Sequence, residues 1–309
     1  MKTVVVIDAT CDLPGAYVQQ HQLKVLPSKL ILGDQVFSDT RDTNLSLAFF
    51  HRYAASPDLK VTNEPCPADT IAALFLNHWI VEYDRAVLIT LSQTLSALFQ
   101  NATETSFAIL RGYREKRRLA GLQTPFHLNV LDSKTVFAGE AVLVDAVIRL
   151  LRDQDLAFNE LRRRIEEFRR YVHCYILPED LSYVRNWANN KDEMRMAFPE
   201  SRLDGLLGNK PVARFFDGDI ELAFKGHGFD KALSNLLNHV RKAVELGLRS
   251  PLVAISYAGN SQVLRQKPCF IEFEQYTRQW GVEVMVSVMS ATGGASVGPG
   301  ALSLAYAAG

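Results

Sequence analysis

The chain has 309 residues, 48% of them hydrophobic, enough for one large or two medium domains with filled cores. Its 34 Lys and Arg balance its 34 Asp and Glu, so charge gives no reason to expect nucleic acid or an anionic membrane as partner. The apolar run in Met1-Lys-Thr-Val-Val-Val-Ile-Asp8 is too short for a signal peptide or a membrane span. Cys11, Cys66, Cys174 and Cys269 lie too far apart for a disulfide frame or a zinc site, so the expectation is a soluble, cytoplasmic protein.

Short β-branched runs alternate with longer helical stretches. Val4–Ile7 reads as a buried strand ending in polar Asp8-Ala-Thr10-Cys-Asp12. Leu23–Pro27 and Lys29–Leu32 read as strands, the second turning through Gly33-Asp34 into Gln35–Phe37. Helix Leu45–Ala54, a short strand at Lys60–Val61 and helix Pro67–Glu82 follow. Strand Arg85–Leu91, helix Ser96–Arg118, strand Phe126–Leu131 and helix Val136–Arg152 continue the alternation. Leu156–Tyr171, dense in Arg and Glu, reads as a solvated helix or linker.

A second unit opens with strand His173–Leu177 and a helical region. It continues through the hairpin Val212–Phe216, Asp217-Gly218, Ile220–Phe224, then helix Asp230–Leu246, strand Leu252–Tyr257, helix Ser261–Trp280 and strand Val282–Met289. That last strand runs into Ser290-Ala-Thr-Gly-Gly-Ala-Ser296-Val-Gly298-Pro-Gly300, which reads as a Gly-rich turn followed by a Pro-Gly helix start. Such a turn leaves backbone N–H groups pointing one way, suited to an anionic or strongly polar group, but the segment taken alone favours a plain strand-to-helix connection with no ligand. The pattern predicts two α/β domains, residues 1–165 and 166–309, with mostly parallel sheets and helices on both faces.

Nucleotide-binding signatures are missing. The chain has no G-x-x-x-x-G-K-[ST] loop and no G-x-G-x-x-G after the first strand. Asp8 and Asp12 are too widely spaced for a D-x-D carboxylate pair, and the seven histidines show no metal-ligand spacing, so neither metal nor cofactor is expected. What remains are hydroxyl-bearing turns at strand ends: Thr62-Asn-Glu-Pro65, Ser92-Gln-Thr94-Leu-Ser96 and Asp132-Ser133-Lys134-Thr135. In an open parallel sheet such turns converge outside the carboxyl ends of the strands, where ligands sit. Each serves as well for a helix N-cap.

The order of these turns resembles the bacterial DegV family over nearly the whole chain. Asp8-Ala-Thr-Cys-Asp12-Leu13 is similar to D-S-[TS]-x-D-L, Thr62-Asn-Glu-Pro65 stands where the family has T-S-Q-P, and Ser92 to Ala102 is similar to S-S-x-L-S-G-T-Y-Q-S-A. Asp132-Ser133-Lys134 matches D-S-K, Lys210-Pro211 and Asp217-Gly218 look like the later K-P and D-G, and Gly294 to Leu302 resembles G-x-H-x-G-P-G-A-L. The resemblance implies a two-domain α/β protein, without catalysis of its own, that binds one long-chain fatty acid with its tail buried and its carboxylate near the domain junction. Some members present that carboxylate to a separate ATP-using fatty acid kinase subunit. The resemblance places head-group contacts on Thr62, on Ser96 with Ser92 nearby, and on the turn Ser296, Val297, Gly298 and Gly300.

Ser296 replaces the family's usual His, Ala97-Leu98 replaces Gly-Thr, and Leu181–Asn190 has no good counterpart of K-K-G-G-R-I. Three outcomes stay open for the head group: hydroxyls and backbone N–H groups hold a carboxylate, another cation such as Arg214 or His227 stands in for the His, or the head is neutral. Two other functions also stay open. One is a phosphotransferase-like enzyme, although no His follows any of the turns; the other is a divergent member that acts through a protein partner without lipid.

Overall fold

A computed structural model of the chain describes residues 1–56, 61–153, 156–188 and 208–309. Its strands in chain order are β1 (Thr3–Asp8), β2 (Lys24–Leu26), β3 (Ser28–Leu32), β4 (Gln35–Asp39), β5 (Val61–Glu64), β6 (Arg85–Thr90) and β7 (His127–Asp132), then β8 (Val172–Leu177), β9 (Asn209–Phe216), β10 (Asp219–His227), β11 (Leu252–Tyr257), β12 (Glu283–Val288) and β13 (Leu302–Ala307). Lys60, expected in a strand, and Asn189 and Asn190, in the stretch compared with K-K-G-G-R-I, lie outside the described residues.

The unbroken apolar run Val4–Ile7 has to be buried on both faces, as a central parallel strand is. β1 lies between β2 and β6 in the all-parallel order β2-β1-β6-β7. Val4, Val6, Ala86 and Leu88 join one core and Val5, Ile7, Val87 and Ile89 the other, following the two-residue period of a strand. β3, β4 and β5 form a small antiparallel sheet joined by the Gly33-Asp34 hairpin.

The third sheet, β10-β9-β8-β13-β11-β12, corrects the expectation of mostly parallel sheets, because only its β11–β12 pair is parallel. A two-residue turn at Asp217-Gly218, both with positive φ (47° and 92°), can join β9 to β10 only antiparallel. The end of the chain is also different. The Gly-rich stretch is itself a short helix, Ala291–Val297, and the residues after Pro299-Gly300 form a strand, not a helix. Ser290 caps that helix by accepting from the Gly293 N–H, and Gly298 ends it at φ 88°. Beyond it, Leu302, Leu304 and Tyr306 alternate with Ala305 and Ala307 across the two faces of β13, which is a strand pattern. The helix expected over Ser261–Trp280 breaks into Gln262–Arg265 and Pro268–Gln279, since Pro268 cannot donate a helical hydrogen bond.

Helix Ala138–Asp153 is buried on every side from Ala138 to Val147, apolar there apart from Glu140 and Asp145, and sits between the parallel sheet and the third sheet. Ala141, Val142, Leu143, Val144 and Val147 are wholly buried in a core that takes residues from both sheets. The charged helix, Phe158–Phe168, buries only Leu161 and Ile165 and spaces Arg162, Arg163 and Arg164 for pairs with Glu160, Glu166 and Glu167. Among the described residues no helix is long and apolar enough to cross a membrane.

Candidate ligand site at the junction of the sheets

After β1 the chain leaves for β2 on one side, whereas after β6 it leaves for β7 on the other. The loops past their carboxyl ends therefore part, and this switch point is where a doubly wound sheet holds ligands. The gap is bridged low down by Asp8, whose Oδ2 accepts from the Leu91 N–H at 2.6 Å. Above it lie two adjoining cavities of about 40 and about 20 Å³ that share Thr10, Asn63, Leu91 and Thr292 in their walls. Leu95, Val136, Phe137, Ile176, Gly293 and Ser296 complete the larger one, so residues preceding and following the central helix both contribute. These volumes suit a head group and fall far below the roughly 300–1,000 Å³ of a pocket for a whole drug-sized ligand.

The structure brings two of the predicted residues together: Ser296 lines the larger cavity and Ser96 the smaller. Thr62 is exposed, because β5 alternates its side chains and the one turned to the cavities belongs to Asn63. Ser92 is wholly buried, with its hydroxyl 2.9 Å from that of Thr94, and lines neither cavity. Val297 is packed in the core, while Gly298 and Gly300 shape the turn into β13, donating their N–H groups to Gly294 O and Ala258 O. Arg214 pairs with Glu221 at 2.8 Å beside a separate hollow of about 390 Å³ near His239, and His227 precedes helix Gly228–Leu246. Neither reaches the junction cavities, and no Lys, Arg or His lines them among the described residues. Another hollow of about 400 Å³ lies away from the junction beside Arg149, Arg164 and Arg249.

Sequence reading missed Thr10, Asn63 and Thr292. Thr10 sits in the first strand-end turn, and strand parity points to Asn63 once β5 is in register.

The N–H groups of Ser290, Thr292 and Gly293 at the start of the Gly-rich stretch are taken up within the protein, as in a plain connection. Asp12 Oδ1 accepts from the Ser290 N–H at 2.8 Å, and Asp39 Oδ2 accepts from the N–H and hydroxyl of Thr292 at 2.8 and 2.9 Å. Ser290 Oγ takes the Gly293 N–H at 2.9 Å. Arg41 ties the assembly together: Nη1 donates to Asp12 Oδ1 at 3.0 Å, and Nη2 to the carbonyls of Leu13 and Val288 at 2.8 and 3.1 Å. The protein's own carboxylates thus occupy the place an external anion would take at this helix start.

Comparison with known proteins fits this geometry. The family model for DegV, described as an uncharacterised protein of the DegV family, matches residues 2–309. The chain belongs to the DegV family. A DegV domain-containing protein of Xanthomonas campestris pv. campestris is 34% identical over 308 residues, spanning 100% of this chain and 98% of that protein. A stearic acid-binding protein from Eubacterium ventriosum shares the fold at a TM-score of 0.80 and 19% identity, over 98% of this chain and 97% of that one. DegV of Bacillus subtilis, a fatty acid-binding protein, does so at 0.77 and 18% identity over 100% of both chains.

The polar wall of this DegV site is acidic underneath. Asp8 is 2% exposed; its Oδ1 accepts from the Thr10 N–H and hydroxyl at 2.7 and 2.6 Å. The same Thr10 hydroxyl oxygen lies 2.9 Å from Oε1 of the wholly buried Glu140, which also accepts from the Phe137 N–H. One hydroxyl proton cannot satisfy two ionised carboxylates, so the geometry calls for another proton on the Asp8–Glu140 pair. Burial pushes both carboxyls up; the charge of Asp8 raises Glu140 further, whereas hydrogen bonds, chiefly from Thr10, hold Asp8 back. Burial also pushes Asp12 up to about 6, against the pull of Arg41.

Proposed function

We propose that this chain binds one long-chain fatty acyl lipid, with its head at the junction cavities and its tail along Leu95, Val136, Phe137 and Ile176. The observation that carries this reading is the two-sided wall at the switch point. Thr10, Asn63, Ser96, Thr292 and Ser296 line it together with apolar side chains such as Leu91, Leu95, Val136, Phe137 and Ile176, in a fold whose solved relatives include fatty acid-binding proteins. Burying a sixteen-carbon tail is worth on the order of 10 kcal/mol at about 0.8 kcal/mol per methylene, against about 1.5–3 kcal/mol for a hydrogen bond to a charged group. The tail therefore dominates affinity and the head sets orientation. Admitting it requires the apolar walls to part, and Phe137 and Phe50 are the rings packed directly on Gly293 and Gly294, 2.8 and 2.1 Å from where a Cβ would sit.

In this reading the protein is a cytoplasmic carrier, not an enzyme, built from lobes at residues 1–165 and 166–309, and it offers the lipid head to a separate kinase subunit. Protein purified without added lipid is expected to show one acyl ligand per chain by native mass spectrometry and solvent extraction. A lipid-free protein that also fails to bind a fluorescent fatty acid would remove the proposal.

A further inference from the structure

We propose that the head-group site presents hydrogen-bond acceptors and so selects an uncharged acyl head, namely the protonated acid, a primary amide or an alcohol. This rests on the lipid-binding reading and specifies its ligand. The hydroxyls that line the cavities spend their protons inward. Ser296 Oγ donates to Gly293 O at 2.6 Å, Thr292 Oγ1 to Asp39 at 2.9 Å, and Thr10 Oγ1 lies between Asp8 and Glu140 at 2.6 and 2.9 Å. A hydroxyl has one proton, so each of these three turns lone pairs toward a ligand. Ser96 is the exception: its Oγ accepts from the Leu98 N–H at 3.2 Å and its own proton is left to donate.

The N–H groups of Ser290, Thr292, Gly293 and Leu91 are likewise engaged, by Asp12, Asp39, the Ser290 hydroxyl and Asp8. Asp8 itself lines the smaller cavity. The charged and titratable groups packed around the site are Asp8 on β1, Cys11, Asp12, Asp39, Arg41 and Cys66 in the adjoining loops, and Glu140 on the central helix; Arg41 is held by Asp12 and two carbonyls. An ionised carboxylate entering here would meet mainly lone pairs and a carboxyl, and among the lining hydroxyls Ser96 alone would offer a proton in place of the water it loses. A neutral head with one or two donors meets what the wall offers. Ser296 fits this choice, since a neutral side chain stands where the family usually has a His.

The test uses delipidated full-length protein titrated by calorimetry with dodecanoic acid, dodecanamide, 1-dodecanol and dodecane sulfonate at about pH 5.5 and about pH 8.5. The amide and alcohol are expected to bind equally at both pH values, and the sulfonate at least about tenfold more weakly than the amide. Affinity for the acid should fall about tenfold per pH unit above its own carboxyl pKa, because only the protonated form enters. Ser296→His is expected to narrow the gap between sulfonate and amide. Sulfonate or ionised acid matching the amide in the wild type would overturn the inference while leaving lipid binding intact. If none of the four bound, both the inference and the lipid reading would fall.

Discussion

Replacing Arg41 by alanine is expected to lower the unfolding free energy by about 3–5 kcal/mol. The guanidinium is buried against an Asp12 side chain with 0% exposure, and it also holds two carbonyls, one from each side of the junction. A buried ion pair adds little over a well-packed apolar pair, but removing one member strands the other charge. Arg41→Ala removes the charge that opposes burial at Asp12, so its carboxyl must either take up a proton or stay ionised and dry, with only the Ser290 N–H on its Oδ1. Adding Asp12→Asn to Arg41→Ala removes the stranded charge, so the double variant should recover part of the loss. Urea unfolding of both variants near neutral pH measures this. A loss below about 1 kcal/mol for the single variant, or no recovery in the double, would show that the pair does not hold the junction.

The second large effect is an inverted pH dependence. Asp8, Asp12 and Glu140 all have carboxyls raised by burial above their unfolded values. A raised acid binds its proton more tightly in the folded state, so its contribution is present below the unfolded pKa and disappears as pH rises through the folded one. For Asp12 that window runs from about 3.9 to about 6 and is worth about 3 kcal/mol. Asp8 and Glu140 add in the same direction. His173 and His239, lowered chiefly by burial, oppose it as they protonate on the acid side. Glu140→Gln separates these terms, since the amide oxygen still accepts from Thr10 and Phe137 and carries no charge. The expected result is a wild type that loses stability relative to Glu140→Gln on going from about pH 5 to about pH 8. A difference between the two that stays constant with pH would mean Glu140 is ionised throughout.

Much of the fold was legible because its strongest signals are local. Val4–Ile7 could only be a buried strand, Gly33-Asp34 and Asp217-Gly218 could only be hairpin turns, and Pro268 stood in the sequence as a helix breaker that was passed over. Sheet direction was less legible, because whether β13 inserts between β8 and β11 depends on contacts far apart in sequence. In the candidate site, the strand-end turns lead to the junction cavities, but at Thr62 one step in a strand exchanges faces and turns Asn63 toward them instead. Glu140 left no sequence signal beyond a carboxylate inside an apolar helix. The occupation of the Ser290 and Thr292 N–H groups by Asp12 and Asp39 was invisible, since those residues lie more than 250 positions away.

The most direct measurement is photolabelling with an acyl chain that carries a diazirine beside its head group, followed by digestion and mass spectrometry. The account predicts adducts on the peptides containing Thr10, Asn63 and Thr292–Ser296, displaced by excess unlabelled lipid. Adducts confined to the hollows beside Arg149 and Arg249 or beside Arg214 and His239 would contradict it.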